Sequence, residues 1–132
     1  MKILLFALVI LGLSAFSCEH DHHHDDGPYL VSIDIQSPAE GSVAALGQPL
    51  PVKVVFSREE DKTIHNVYIH VFDEFDNLVT TLIEQHVHVD GEYVFESSAF
   101  TPAWAGPYKI QVLTRDDAEE SPNLKEVSFT VQ

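Results

Sequence analysis

Val67-Tyr68-Ile69-His70-Val71-Phe72 places an apolar residue at every second position, Val67, Ile69 and Val71, with Tyr68, His70 and Phe72 between them. A period of two marks a β-strand with one face on a core, because successive side chains point to opposite sides. Phe75-Asp76-Asn77 then reads as a hairpin loop, and a long strand is expected from Leu78 to Val89. The same texture recurs outward in both directions. Upstream, Val31, Ile33 and Ile35 alternate with Ser32 and Asp34, and Val52, Val54 and Phe56 with Lys53 and Val55. Ser37-Pro38-Ala39-Glu40-Gly41 and Gly47-Gln48-Pro49 break the chain between those two, and the charged Arg58 to Lys62 stretch is a turn. Downstream, Asp90-Gly91 carries the signal of a two-residue hairpin turn. Strands are expected around Tyr93, Phe95 and Ser97, around Tyr108, Ile110 and Val112, and around Val127, Phe129 and Val131, with an acidic loop from Asp116 to Asn123.

Seven short β segments and no useful helical period point to an all-β, antiparallel sandwich, with a small closed β-barrel as the second architecture. Val54, Ile69, Ile110 and Phe129 are its expected shared core. The domain runs from Pro28 to Gln132, about 105 residues, the size of an immunoglobulin-like domain. Gly106-Pro107-Tyr108-Lys109-Ile110 also resembles the Gly-x-Tyr-x-Cys stretch entering strand F of immunoglobulin domains, with Ile110 at the cysteine position. The resemblance implies that the Tyr108 hydroxyl bonds back to the chain just upstream.

Residues 1–17 read as a secretory signal: Lys2, then an apolar run from Ile3 to Leu13, then the small residues Ser14, Ala15 and Ser17. The run is too short to span a bilayer as a helix, which takes about 20 apolar residues. Cys18 is the one cysteine, so an intramolecular disulfide is ruled out and the apolar core alone must hold the domain. Its position after the run and behind Ser17 resembles the lipobox of bacterial lipoproteins, which implies acylation of Cys18. An ordinary signal peptidase could also cut here and would leave a free thiol. Residues 18–27 form an acidic, histidine-rich tether, with no apolar residue after Cys18. Glu19, Asp21, Asp25 and Asp26 resemble the signal that sends lipoproteins of Bacteroidota to the outer cell surface.

The whole chain carries 7 basic and 21 acidic residues. Without Lys2, six basic residues face 21 acidic ones, a formal charge of −15 before counting histidine. Nucleic-acid backbones and anionic lipid surfaces are repelled, so membrane attachment must come through covalent lipid on Cys18. Serines lie without a nucleophile elbow, and no glycine-rich phosphate loop is present. The sequence therefore points to a protein that is not an enzyme.

Histidine is the unusual residue, with eight copies in two groups. His20, His22, His23 and His24 lie in the tether, where imidazoles bind zinc or copper loosely because nothing fixes their geometry. In the second group, His86 and His88 share one face of a strand, with Glu84 on the same side. If Glu74 pairs with Leu78, Asn66 faces His86, Tyr68 faces Glu84 and Leu82 faces His70. Val67, Ile69 and Val71 then lie over Gln85, Ile83 and Thr81. His70 falls about 13 Å along the strand from the partner of His86, and His65 points to the other face. A zinc site here would use His86, His88 and Glu84, with Asn66 or water completing the shell. Exposed strand histidines without metal are the plainer alternative.

Together these features resemble short Bacteroidota cell-envelope lipoproteins carrying a single immunoglobulin-like domain. That resemblance implies a surface-displayed outer-membrane lipoprotein, acting as a non-enzymatic binding or accessory module. Its partner would be a protein or glycan, with Trp104, Tyr68 and Phe72 as the contact aromatics. A divalent-metal-binding envelope lipoprotein is the other functional class.

Overall fold

The computed structural model describes residues 28–117 and 122–132. The expected signal segment, Cys18 and the tether with His20, His22, His23 and His24 lie outside the described residues.

Alternation decides which side of each strand is buried. The strands are β1 (Ser32–Ser37), β2 (Val43–Ala44), β3 (Val52–Ser57), β4 (Thr63–Ile64) and β5 (Asn66–Asp73), then β6 (Leu78–Gln85), β7 (Val89–Asp90), β8 (Glu92–Ser97), β9 (Gly106–Arg115) and β10 (Asn123–Val131). Val52, Val54 and Phe56 of β3 turn inward, as do Val67, Ile69 and Val71 of β5. Tyr108, Ile110, Val112 and Thr114 of β9 do likewise, with Val127, Phe129 and Val131 of β10. Val54, Ile69 and Ile110 are fully buried and Phe129 nearly so, which places the expected core between the sheets.

Two sheets face each other across that core. One has three strands in the order β1-β3-β8, and the other five in the order β2-β10-β9-β5-β6. They do not close edge to edge, so the architecture is a sandwich and the barrel is set aside. Every pairing within the sheets is antiparallel except β2 with β10, which is parallel. A third, two-stranded ribbon pairs β4 with β7 at one end.

Three local expectations are corrected. The strand from Leu78 stops at Gln85, and His86, Val87 and His88 leave the ladder before β7 begins. Val87 is buried there while its two histidine neighbours are exposed, so a core anchor bends this stretch away from the β5 edge. Asp90-Gly91 is not a hairpin turn, because β7 pairs with β4 and β8 with β3. Gly91, at φ 74°, instead carries the chain between sheets. It is held there by its N–H on the Lys62 carbonyl and its own carbonyl on the Arg58 N–H. Finally, the β5–β6 register matches expectation from Val67↔Gln85 through Ile69↔Ile83, then slips twice, so His70 faces Thr81, Val71 faces Thr80 and Phe72 faces Leu78. Each slip inserts an extra residue on β6, the behaviour of bulges on an edge strand.

The tyrosine near the start of β9 behaves as the immunoglobulin resemblance implies. Tyr108 is buried and its hydroxyl donates to the Trp104 carbonyl at 3.0 Å. Its ring stacks between Trp104 and Phe129, with centroids 5.9 and 5.6 Å away.

Candidate metal centre

The β5–β9 ladder begins at the pair Asn66↔Arg115. That pairing brings the residues just outside it, His65 on one chain segment and Asp116 and Asp117 on the other, to the same corner of the sandwich. The β4–β7 ribbon and the segment after β6 bring His86 and His88 to it as well.

His65 is fixed from below. Its N–H donates to the Tyr29 hydroxyl at 2.9 Å, and that hydroxyl meets Thr114 Oγ1 at 2.7 Å. Thr114 is fully buried, so this hydroxyl pair is sealed from solvent. Burial pushes the Tyr29 phenol up from its ordinary range, against the opposing pull of those two hydrogen bonds. Asn123 clamps the same stretch, donating to the Tyr29 carbonyl at 2.7 Å and accepting the Val31 N–H at 3.2 Å. Nδ1 of His65 is buried without a hydrogen-bond partner among the described residues.

His86 is fixed from the side. The Asn66 side-chain amide donates to Asp117 Oδ1 at 2.6 Å, so its carbonyl oxygen is the atom facing His86 Nδ1 at 2.9 Å. His86 Nδ1 must then be the donor, and Asp117 Oδ1 lies 3.6 Å from the same nitrogen. This leaves the lone pair of His86 Nε2 free. His88 Nε2 stands 2.8 Å from it. The Asn66 hydrogen bond, with the neighbouring histidines His86, His65 and His88, holds the Asp117 carboxyl below its ordinary range.

The three rings form one cluster. Ring centroids are 4.8 Å apart for His65–His88, 4.7 Å for His86–His88 and 6.2 Å for His65–His86. One ring nitrogen from each lies within 4.8 Å of the other two. A second group shares His65 and adds Asp116 and Asp117 under the same limit. Tetrahedral zinc with nitrogen ligands at its usual bond length needs nitrogens about 3.3 Å apart. The His86 and His88 nitrogens, 2.8 Å apart, would have to open by about half an ångström, and any pair near the 4.8 Å limit would have to close by more than one.

The structure groups the expected residues differently. His86 and His88 meet as the alternation implied, with Asn66 beside His86. Glu84 faces Tyr68 on the exposed edge and joins neither group. His65 stands in its place, although face-counting put it on the opposite side. That count assumed an unbroken strand, whereas His65 lies in the gap between β4 and β5. The available signal was Asn66 opposite His86, which sets its preceding neighbour at the same corner. Of the aromatics considered as contacts, Trp104 is 49% exposed, while Tyr68 and Phe72 are half-buried beneath Arg115 and Lys109.

No protein-family model matches the sequence, and no curated protein matches it. Solved structures do. The chain is similar to the CARDB domain of the PF1109 protein from Pyrococcus furiosus in complex with di-metal ions, with a TM-score of 0.54 at 14% identity, over 78% of this chain and 88% of that one. The solution structure of that domain gives a TM-score of 0.52 at 15% identity, over 76% and 93%. A family 123 glycoside hydrolase from Clostridium perfringens gives 0.51 at 13% identity, over 78% of this chain and 27% of the enzyme. At these identities the likeness concerns the fold. The chain is an immunoglobulin-like β-sandwich of the kind found in CARDB domains.

Proposed function

We propose that this chain is a non-enzymatic envelope lipoprotein, anchored at the outer surface through Cys18, whose immunoglobulin-like domain binds a divalent metal ion. Zinc suits the donor set best, because it accepts neutral imidazoles in a tetrahedron. The observation that carries the reading is the convergence of His65, His86 and His88 ring nitrogens within 4.8 Å of one another. The CARDB domain solved with di-metal ions supports it as an example of metal on this architecture. Position supports the anchor: Cys18 comes after the apolar run and directly behind the small residue Ser17, ten residues ahead of Pro28.

Titration calorimetry tests the metal claim on the mature chain carrying Cys18→Ser and alanine at the four tether histidines. One zinc site is expected, lost on His86→Ala with His88→Ala. Equal binding by both proteins, or none by either, removes the reading. The mass of the native N-terminal peptide tests the anchor, since an unmodified Cys18 leaves secretion without attachment.

A further inference from the structure

We infer that the centre is an open one: the chain supplies three imidazoles and leaves the fourth zinc position to a water that small donor ligands can displace. The inference rests on the metal-binding reading above and concerns what that site does with its ion. Four protein ligands close a structural zinc site, whereas three leave a position for exchange.

The hydrogen bonds assign the roles. His86 gives its Nδ1 proton to Asn66, so Nε2 is the atom left for metal. His88 Nε2 faces that atom at 2.8 Å, so in the metal-free site one of the pair donates to the other. Since His86 Nε2 is already the lone-pair side, the proton lies on His88. For both Nε2 atoms to hold an ion, His88 would have to carry its proton at Nδ1. His65 adds the third nitrogen.

The neighbouring carboxylates group with His65 and not with the full set of three imidazoles. Asp117 Oδ1 accepts the Asn66 amide at 2.6 Å and lies 3.6 Å from the non-ligating side of His86. Asp116 Oδ1 accepts the Asp117 N–H at 2.6 Å and lies 3.9 Å from His65 Nε2. Among the described residues, no histidine, cysteine or carboxylate joins all three imidazoles in a single group. Asp117 thus lies beside the Nδ1 side of His86 and Asp116 beside His65, neither within hydrogen-bond distance of the ring. His86 and His88 are exposed, so the remaining position faces solvent.

An incoming chelating group can enter at that position before any protein ligand leaves. The site is then built for loading and release.

Cobalt(II) in place of zinc tests this, again with Cys18→Ser and alanine at the tether histidines. Uptake with the strong visible bands of a four-coordinate ion is expected, and those bands should shift when azide is added. Bands that ignore azide would show the fourth position filled from within the chain and overturn the inference, while leaving the metal-binding reading intact. No cobalt or zinc uptake would remove both. Uptake lost on His65→Ala but kept on Glu84→Ala supports the ligand set drawn here, and the reverse pattern overturns it.

Discussion

Tyr29 shows how much of the site depends on one hydroxyl. It is 3% exposed, and its oxygen accepts from the His65 amide and hydrogen-bonds the Thr114 hydroxyl. Replacing Tyr29 with phenylalanine leaves the ring in place and strands both partners. A buried polar group without its hydrogen bond costs about 1–3 kcal/mol. Tyr29→Phe is therefore expected to lower the melting temperature. It should also weaken zinc binding more than Tyr68→Phe does, because His65 loses its support. Equal melting and equal zinc affinity for wild type and Tyr29→Phe would show that this hydroxyl positions nothing. Tyr108 plays a related part at the far end of the sandwich, where its hydroxyl on the Trp104 carbonyl fixes the entry into β9.

Among the elements, the β5–β6 hairpin depends on a carboxylate. Asp73 accepts from the Asn77 side chain at 3.0 Å and from the Asn77 and Phe75 amides, both at 2.9 Å. The hydrogen bond from the Asn77 side chain leads, and the backbone amides add to it, in holding the Asp73 carboxyl below its ordinary range. The sign follows from that depression. The stabilisation is complete above the unfolded aspartate value and is lost as pH falls through the lower folded value. Asp73→Asn keeps the turn's shape without the charge, so its melting temperature should fall less than wild type's on acidification through that window. Parallel melting curves across the window would contradict this. The long strands of the fold were legible in the sequence because each carries several alternating residues, as in Val52, Val54 and Phe56. Val43–Ala44 and Thr63–Ile64 were not, since a two-residue strand has no period to read. The slip after Ile69 was hidden as well, because Thr80 and Thr81 present the same chemistry in either register. That slip does not reach the corner where Asn66 meets His86, so half of the candidate site was readable. His65 was lost with the unseen break that separates it from β5.

For the whole molecule, the candidate site and the core occupy separate regions. The core lies between the sheets, and the histidine cluster rides on segments at one end that lie outside the long ladders. On the proposed reading, an ion would load and unload there without opening the core. The parallel contact of β2 with β10 belongs to this scale too. It joins the early part of the domain to its last strand through Gly41 N–H on the Ser128 carbonyl, Thr130 N–H on Ser42, Gln132 N–H on Ala44 and Leu46 N–H on Gln132. Two strands running the same way, one drawn from its start and the other from its end, are pulled in opposite directions along a common axis. Tension between the ends of the domain therefore loads these bonds in shear, all together, where an antiparallel pair pulled from one end would unzip bond by bond. Stretched between residues 28 and 132 in a force spectrometer, the domain is expected to yield at one abrupt peak, and a gradual extension would show that the β2–β10 contact bears no load. A domain held at one end and tugged at the other would keep its histidine corner assembled until that clasp gives way.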